Sequence, residues 1–285
     1  MQKAYSLDQI ELLELIGMKG EVGLLVAPSF VVDFDYRTFV PLMKGFGFDK
    51  VFEITFGAKI VNANYHKYIS ENKLKQKKFI SSTCPSCVNL VKARFPHLKN
   101  FLMPFDSPVI SMAKIVKKNF PKQKIVFLSP CTAKRVEAKQ SGLIDCVITF
   151  KEMKEIISRE KPPLANCSHL FDRFYNDYTK VYPLAGGLSK TLHLKGILDK
   201  NETVSVDGAN AIINLFKKDS NKKFFDILFC SGGCVGGPEV NASTPIFMRK
   251  FSVTSYRKQA LKEKIGSRKG TEKYVKGINF SKKFD

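Results

Sequence analysis

Five of the seven cysteines fall in three short segments rich in Pro, Gly, Ser and Thr. These are Thr83-Cys84-Pro85-Ser86-Cys87, Ser129-Pro130-Cys131-Thr132-Ala133-Lys134 and Cys230-Ser231-Gly232-Gly233-Cys234. Thiolates are soft donors, and a four-Cys set suits zinc or an iron–sulfur cluster. Three plainer readings stand beside this one. Cys84 and Cys87 have the spacing of a thioredoxin-type redox pair. Cys84, Cys87, Cys230 and Cys234 could form a structural zinc site, although a CxxxC half so far from its CxxC partner is unusual. Some of these cysteines could simply be core residues. Spacing alone ranks a metal or cluster site above the redox pair. Gly232 and Gly233 would let the third segment turn tightly, bring both sulfurs to one ligand and aim N–H groups at it. Cys146 lies in an apolar run and reads as core, and Cys167 lies in a loop-like stretch.

The elements that would position these thiols alternate. EVGLLVAP, KVFEIT, KFISST, KIVFLSP, DCVITF and DILF read as short buried strands. Helical patterns fall between them, among them SPVISMAKIVKKNF, KEMKEIISRE and DGANAIINLFKK. This alternation predicts an α/β fold with mainly parallel sheets. Cys84, Cys131 and Cys230 each follow a predicted strand, and the carboxyl ends of strands are where open α/β sheets bind ligands. No linker divides the 285 residues, so residues 1–285 read as a single domain. The Lys-rich stretch of about 256–285 reads as a helix and tail.

Composition narrows the function classes. Hydrophobic residues make up 44% of the chain and include 24 Phe, enough for a real core. No apolar run reaches the ~18 residues of a membrane span. The N-terminus reads as a surface helix without a signal-peptide core, which predicts a cytoplasmic protein with reduced thiols. The formal net charge of +21 invites a nucleic-acid reading. Against that, the cations are 39 Lys and only 8 Arg, scattered along the chain with no recognition motif. The field favours an acidic macromolecular partner instead.

Taken in order, the three segments resemble the active-site signatures of [FeFe]-hydrogenases. The family's TSCCPxW reads here Ser82-Thr83-Cys84-Pro85-Ser86-Cys87. Its PCxxKxxE is complete as Pro130-Cys131-Thr132-Ala133-Lys134-Arg135-Val136-Glu137, and its CxGGCxxGG runs from Cys230 to Gly237. Weaker matches are Ala27-Pro28-Ser29, Gly57-Ala58, Ser107-Pro108 and Ala185-Gly186-Gly187. The resemblance covers about residues 21–237. It implies two lobes built on mainly parallel sheets, with a metal cluster buried in the cleft between them. By position, Cys84, Cys131, Cys230 and Cys234 would bind a [4Fe–4S] cluster, and Cys234 would bridge it to a diiron unit carrying CO, cyanide and a dithiolate. Lys134 would lie near one cyanide, and Pro28 and Ser29 near the other. Gly186 and Gly187 would allow close backbone approach, and Glu137 reads equally well as a helix-surface acid. The implied reaction is 2H⁺ + 2e⁻ ⇌ H₂, with dedicated maturation proteins supplying the diiron unit.

The departures concern protons and electrons. Thr83 stands where the family has its proton-relay cysteine, and a hydroxyl releases a proton far less readily than a thiol. Asn64, Tyr65, His66 and Tyr68 fill a segment where glutamates are expected, and Ser129 replaces a methionine. No cysteine precedes Cys84, so electrons are expected to arrive directly from a docked carrier. The positive charge suits an acidic ferredoxin. A non-catalytic relative, either a hydrogen sensor or an iron–sulfur assembly protein, is the competing expectation.

Overall fold

The computed structural model describes residues 4–18, 20–218, 220–241 and 243–284. Its strands form two sheets. In the first, β1 (Val22–Val26), β2 (Lys50–Glu53), β4 (Lys124–Ser129) and β5 (Cys146–Thr149) lie in the order β2-β1-β4-β5. In the second, β3 (Phe79–Ile80), β6 (Thr203–Asp207) and β7 (Phe224–Leu228) lie in the order β3-β7-β6. Every strand pair is parallel. β1 (VGLLV) is buried at every position, the pattern of a parallel strand covered on both faces.

Helices supply that cover: α1 (Leu7–Gly17), α2 (Tyr36–Phe46), α3 (Thr55–Asn72), α4 (Pro85–Arg94), α5 (Pro108–Asn119), α6 (Ala133–Ser141), α7 (Phe150–Glu160), α8 (Gly187–Leu192), α9 (Ala209–Lys217) and α10 (Ile246–Ala260). Their starts are written in local chemistry. Thr149 and Glu152 form a reciprocal capping box on α7, and Pro85 and Pro108 open α4 and α5. One large core surrounds the first sheet, and two smaller ones flank the second. The α/β architecture with two parallel-sheet lobes is the one expected.

Several elements differ from their predicted form. KFISST pairs only briefly, because the Ser82 N–H leaves the sheet and donates to the Tyr65 hydroxyl at 2.9 Å. β6 escaped notice because it is a half-exposed edge strand without an apolar run. α3 carries Asn62, Asn64 and His66 in the middle of its helical pattern, which hides its apolar face. The C-terminal helix lies mostly ahead of Tyr256. The chain beyond it packs back onto the core: the Tyr175 N–H donates to the Arg268 carbonyl, the Asp106 N–H donates to that of Phe280, and Phe280 is buried. Among the described residues, no helix is long and apolar enough to cross a membrane.

Candidate metal-cluster site

Parallel strands bring their carboxyl ends to one side, and the loops leaving those ends meet around a single cavity. Pro28 and Ser29 come from the turn after β1, Thr55 from the start of α3 just after β2, and Thr83 and Cys84 from the loop after β3. Cys131 and Lys134 follow β4, and Cys230, Gly233 and Cys234 follow β7. Cys84, Cys131, Cys230 and Cys234 are free, partly exposed thiols on that wall. Cys87 does not line the cavity: it is fully buried under α4, directly behind Cys84. Cys146 is buried in β5, and Cys167 is exposed.

Each thiol is held by its own loop. Cys84 occupies the N-cap position of α4, and its carbonyl accepts the Val88 N–H at 3.1 Å. Ser129 braces Cys131 twice: its hydroxyl donates to the Cys131 carbonyl at 2.8 Å and accepts from the Cys131 N–H at 3.1 Å. The Ala133 N–H donates to the Cys131 sulfur at 3.3 Å. In the third loop, Gly232 and Gly233 adopt φ of +88° and +81°. A Cβ on Gly233 would stand 2.4 Å from the Pro183 carbonyl oxygen, so only glycine fits. The N–H groups of this loop do not point at a ligand, contrary to expectation. Those of Gly232, Gly233 and Cys234 donate to Asp207, the Cys230 carbonyl and the Pro183 carbonyl, because the tight turn needs them to hold its own shape. Gly232 accordingly shapes the loop without lining the cavity.

The thiols feel one another's charge. Cys84 is lowered to about 6, chiefly by a hydrogen bond from the Cys87 thiol, with backbone N–H groups and the Lys134 ammonium adding to it. Burial raises Cys131, Cys234 and Cys230, the last to about 11, and neighbouring thiolates push each of them further. Burial and mutual repulsion oppose charging all four together, so binding them as thiolates requires a positive partner. Lys134 is the only cation among the described residues lining the cavity. It is not a surface lysine. Its ammonium donates to Glu137 at 2.6 Å and to the Thr83 carbonyl and the Ser107 hydroxyl at 3.3 Å each.

The wall fits a polynuclear cluster with acceptor groups. Among the described residues, no three Cys, His, Asp or Glu side chains gather tightly enough to hold a single ion. The four cysteines line one cavity together. Cys87, of the structural zinc set, is buried and does not line the cavity, which the other three cysteines of that set do. The Ser29 hydroxyl is fully buried on the cavity wall with no hydrogen-bond partner, a donor left for a bound group that accepts.

A model of the family described as iron only hydrogenase large subunit, C-terminal domain, matches residues 21–238. The chain belongs to this hydrogenase family. Iron hydrogenase 1 of Clostridium pasteurianum is 26% identical over 316 residues, covering 90% of this chain and 54% of the relative. Cytosolic Fe-S cluster assembly factor NAR1 of Encephalitozoon cuniculi is 25% identical over 207 residues, 64% of this chain and 56% of that protein. The hydrogenase-family chain thus spans about half the length of these two curated relatives. Its fold is shared with solved [FeFe]-hydrogenases. A variant of HydA1 from Chlamydomonas reinhardtii superposes with TM-score 0.65 at 18% identity, covering 92% of this chain and 90% of that one. HydA(deltaEFG) gives TM-score 0.66 at 18% identity, covering 93% and 90%.

Sequence reading missed parts of this hydrogenase-family cavity. Asp226 lies inside DILF, read only as a buried strand, yet its carboxylate lines the wall. Thr55 lines it too and donates to Glu53 at 3.0 Å. Glu53 is in turn paired with fully buried Lys180 and accepts from the Tyr256 hydroxyl at 2.7 Å. No motif announces that pair, since its members are far apart in sequence. Gly187 proves to be a packing residue, its Cα facing the Val181 carbonyl.

Proposed function

We propose that this domain is a compact [FeFe]-hydrogenase that interconverts 2H⁺ + 2e⁻ and H₂. The observation carrying this reading is that three cysteine segments distant in sequence meet at one cavity around Lys134. Cys84, Cys131, Cys230 and Cys234 would hold the [4Fe–4S] cluster, with Cys234 shared with the diiron unit that maturation proteins provide. When bound, that group supplies the making and breaking of the H–H bond.

The chain's residues do the rest. Lys134 balances negative charge on one side of the cavity, and the Ser29 hydroxyl donates from the other. Ser129, Gly232 and Gly233 fix the loops that carry the sulfurs. Electrons arrive from an acidic carrier of the ferredoxin type. α10 supports this, because it packs on the Cys234 loop. Ile246 lies against Gly232, and Arg249 donates to the Val235 carbonyl at 3.1 Å. The helix also presents Phe247 and Phe251, each 69% exposed, beside Lys250 and Lys258.

A second reading, a non-catalytic relative that serves iron–sulfur assembly, is favoured by the likeness to NAR1 and by Thr83 in the relay position. Infrared spectra and H₂ turnover of the protein after maturation separate the two. CO and cyanide bands with turnover support the hydrogenase. Bands without turnover, unrestored by Thr83→Cys, or no bands at all, overturn it.

A further inference from the structure

A cavity that consumes or releases protons needs a route for them. Thr83 and the segment around Tyr65 offer poor carriers. The Tyr65 phenol is buried, held between the Ser82 N–H and hydroxyl, and far less acidic than a free tyrosine because of burial. Among the described residues lining the cavity, Asp226 is the only carboxylate. It is 2% exposed and lies near the end of β7, four residues ahead of Cys230. It accepts the Ser189 N–H at 2.9 Å, at the start of α8. The Ser189 hydroxyl stands 3.2 Å from that of Ser205, on edge strand β6, and Ser205 is exposed to solvent. Both hydroxyls lie close enough to the Asp226 carboxylate to favour its charged form.

We infer that Ser205, Ser189 and Asp226 form the proton route between solvent and the cavity. The inference rests on the hydrogenase reading for its purpose, and on the line of polar groups from Ser205 through Ser189 to Asp226 for its existence. A proton from water joins the Ser205 oxygen as Ser205 passes its own proton to Ser189, which passes its own to Asp226. Each serine ends neutral and unchanged. The carboxylate becomes a carboxylic acid and releases the proton into the cavity, and no electrons move along this path.

The carboxyl suits such work. Burial raises it to about 6, while the Ser189 N–H and the nearby Ser189 and Ser205 hydroxyls keep it from rising further. The other titratable groups that face it are the phenols of buried Tyr65 and half-buried Tyr182, both held far less acidic than a free tyrosine by desolvation. A helix-capping role alone would use the Ser189 N–H. It would not need two hydroxyls leading to the surface.

The test uses the full chain before maturation, so it does not depend on hydrogenase activity. The carboxylic C=O infrared band of Asp226 is identified as the band lost in Asp226→Asn, and its shift is followed after rapid dilution into D₂O at about pH 5. Ser189→Ala keeps the capping N–H, and Ser205→Val changes an exposed position. Each is expected to slow exchange about tenfold or more. Exchange as fast as wild type in both variants, or no band assignable to Asp226, overturns the route.

In matured protein that keeps its CO and cyanide bands, Asp226→Asn is expected to lower turnover at least about tenfold and Asp226→Glu to restore most of it. Wild-type rates in Asp226→Asn would also overturn the route. If the wild type shows no turnover at all, the hydrogenase reading fails, while the exchange measurement still decides whether the route exists.

Discussion

The ammonium of Lys134 lies 2.6 Å from the carboxylate of Glu137, one turn further along α6, and Lys282 from the C-terminal segment lies 3.8 Å from the same carboxylate's other oxygen. The only cation among the described residues of the cavity wall is therefore fixed by a buried acid, and that acid ties the wall to the C-terminal segment. Glu137→Gln leaves both lysines without their counter-charge. It is expected to cost about 2–3 kcal/mol in urea unfolding, below the ~3–5 of a fully buried pair because Lys134 keeps some contact with water. A loss under about 0.5 kcal/mol would show the pair to be no more than a surface contact.

This pair marks where the sequence was legible. Lys134 sits at a fixed offset from Cys131, so its place in the motif pointed to the site, whereas Glu137 read equally well as a surface acid and is in fact buried. Cysteine, glycine and proline were readable for the same reason: few positions tolerate them without a chemical or conformational cause. Asp226, Thr55 and the Glu53–Lys180 pair were not readable. Their meaning comes from strands and loops brought together by folding, and their neighbours in sequence are ordinary strand residues. The parallel sheets were legible from apolar runs, whereas β6, an exposed edge without such a run, was not.

Gly233 offers a test of the third loop. Its φ of +81° with ψ of −158° belongs to a region essentially reserved for glycine, and the Pro183 carbonyl blocks a side chain. Gly233→Ala is expected to destabilise the fold by at least about 1–3 kcal/mol. It should also lower iron and sulfide content after anaerobic reconstitution, by moving Cys234. Gly142→Ala, at a left-handed helix end with open space around it, should cost stability without loss of iron. Equal iron retention in both variants would argue against the loop as a cluster holder.

The raised Asp226 carboxyl makes a statement about stability. The folded state holds this proton more tightly than the unfolded chain does. The resulting stabilisation is therefore full below about pH 4 and is lost as pH rises through about 6. Asp226→Asn removes the cost of burying the charge while keeping an acceptor for the Ser189 N–H. Relative to wild type, the variant is expected to gain on the order of 1–3 kcal/mol between about pH 4 and pH 8. A difference that stays constant with pH, measured by urea unfolding at both ends, would contradict a buried carboxyl that titrates near 6.

The carrier surface yields the last expectation. α10 carries Arg249, Lys250, Arg257 and Lys258 with no acidic residue, and its exposed Phe247 and Phe251 lie near the loop that would hold the cluster. Attraction between exposed charges weakens once the screening length falls to a few ångströms, so the rate with an acidic ferredoxin should drop steeply between about 0.05 and 0.5 M salt. Phe247→Ser with Phe251→Ser should lower that rate about tenfold by removing the apolar centre of the contact. Turnover with a small dye reductant should stay unchanged, because the dye needs no docking surface. Equal losses with dye and ferredoxin would place the defect in the fold, and a flat salt response would remove charge steering from the account.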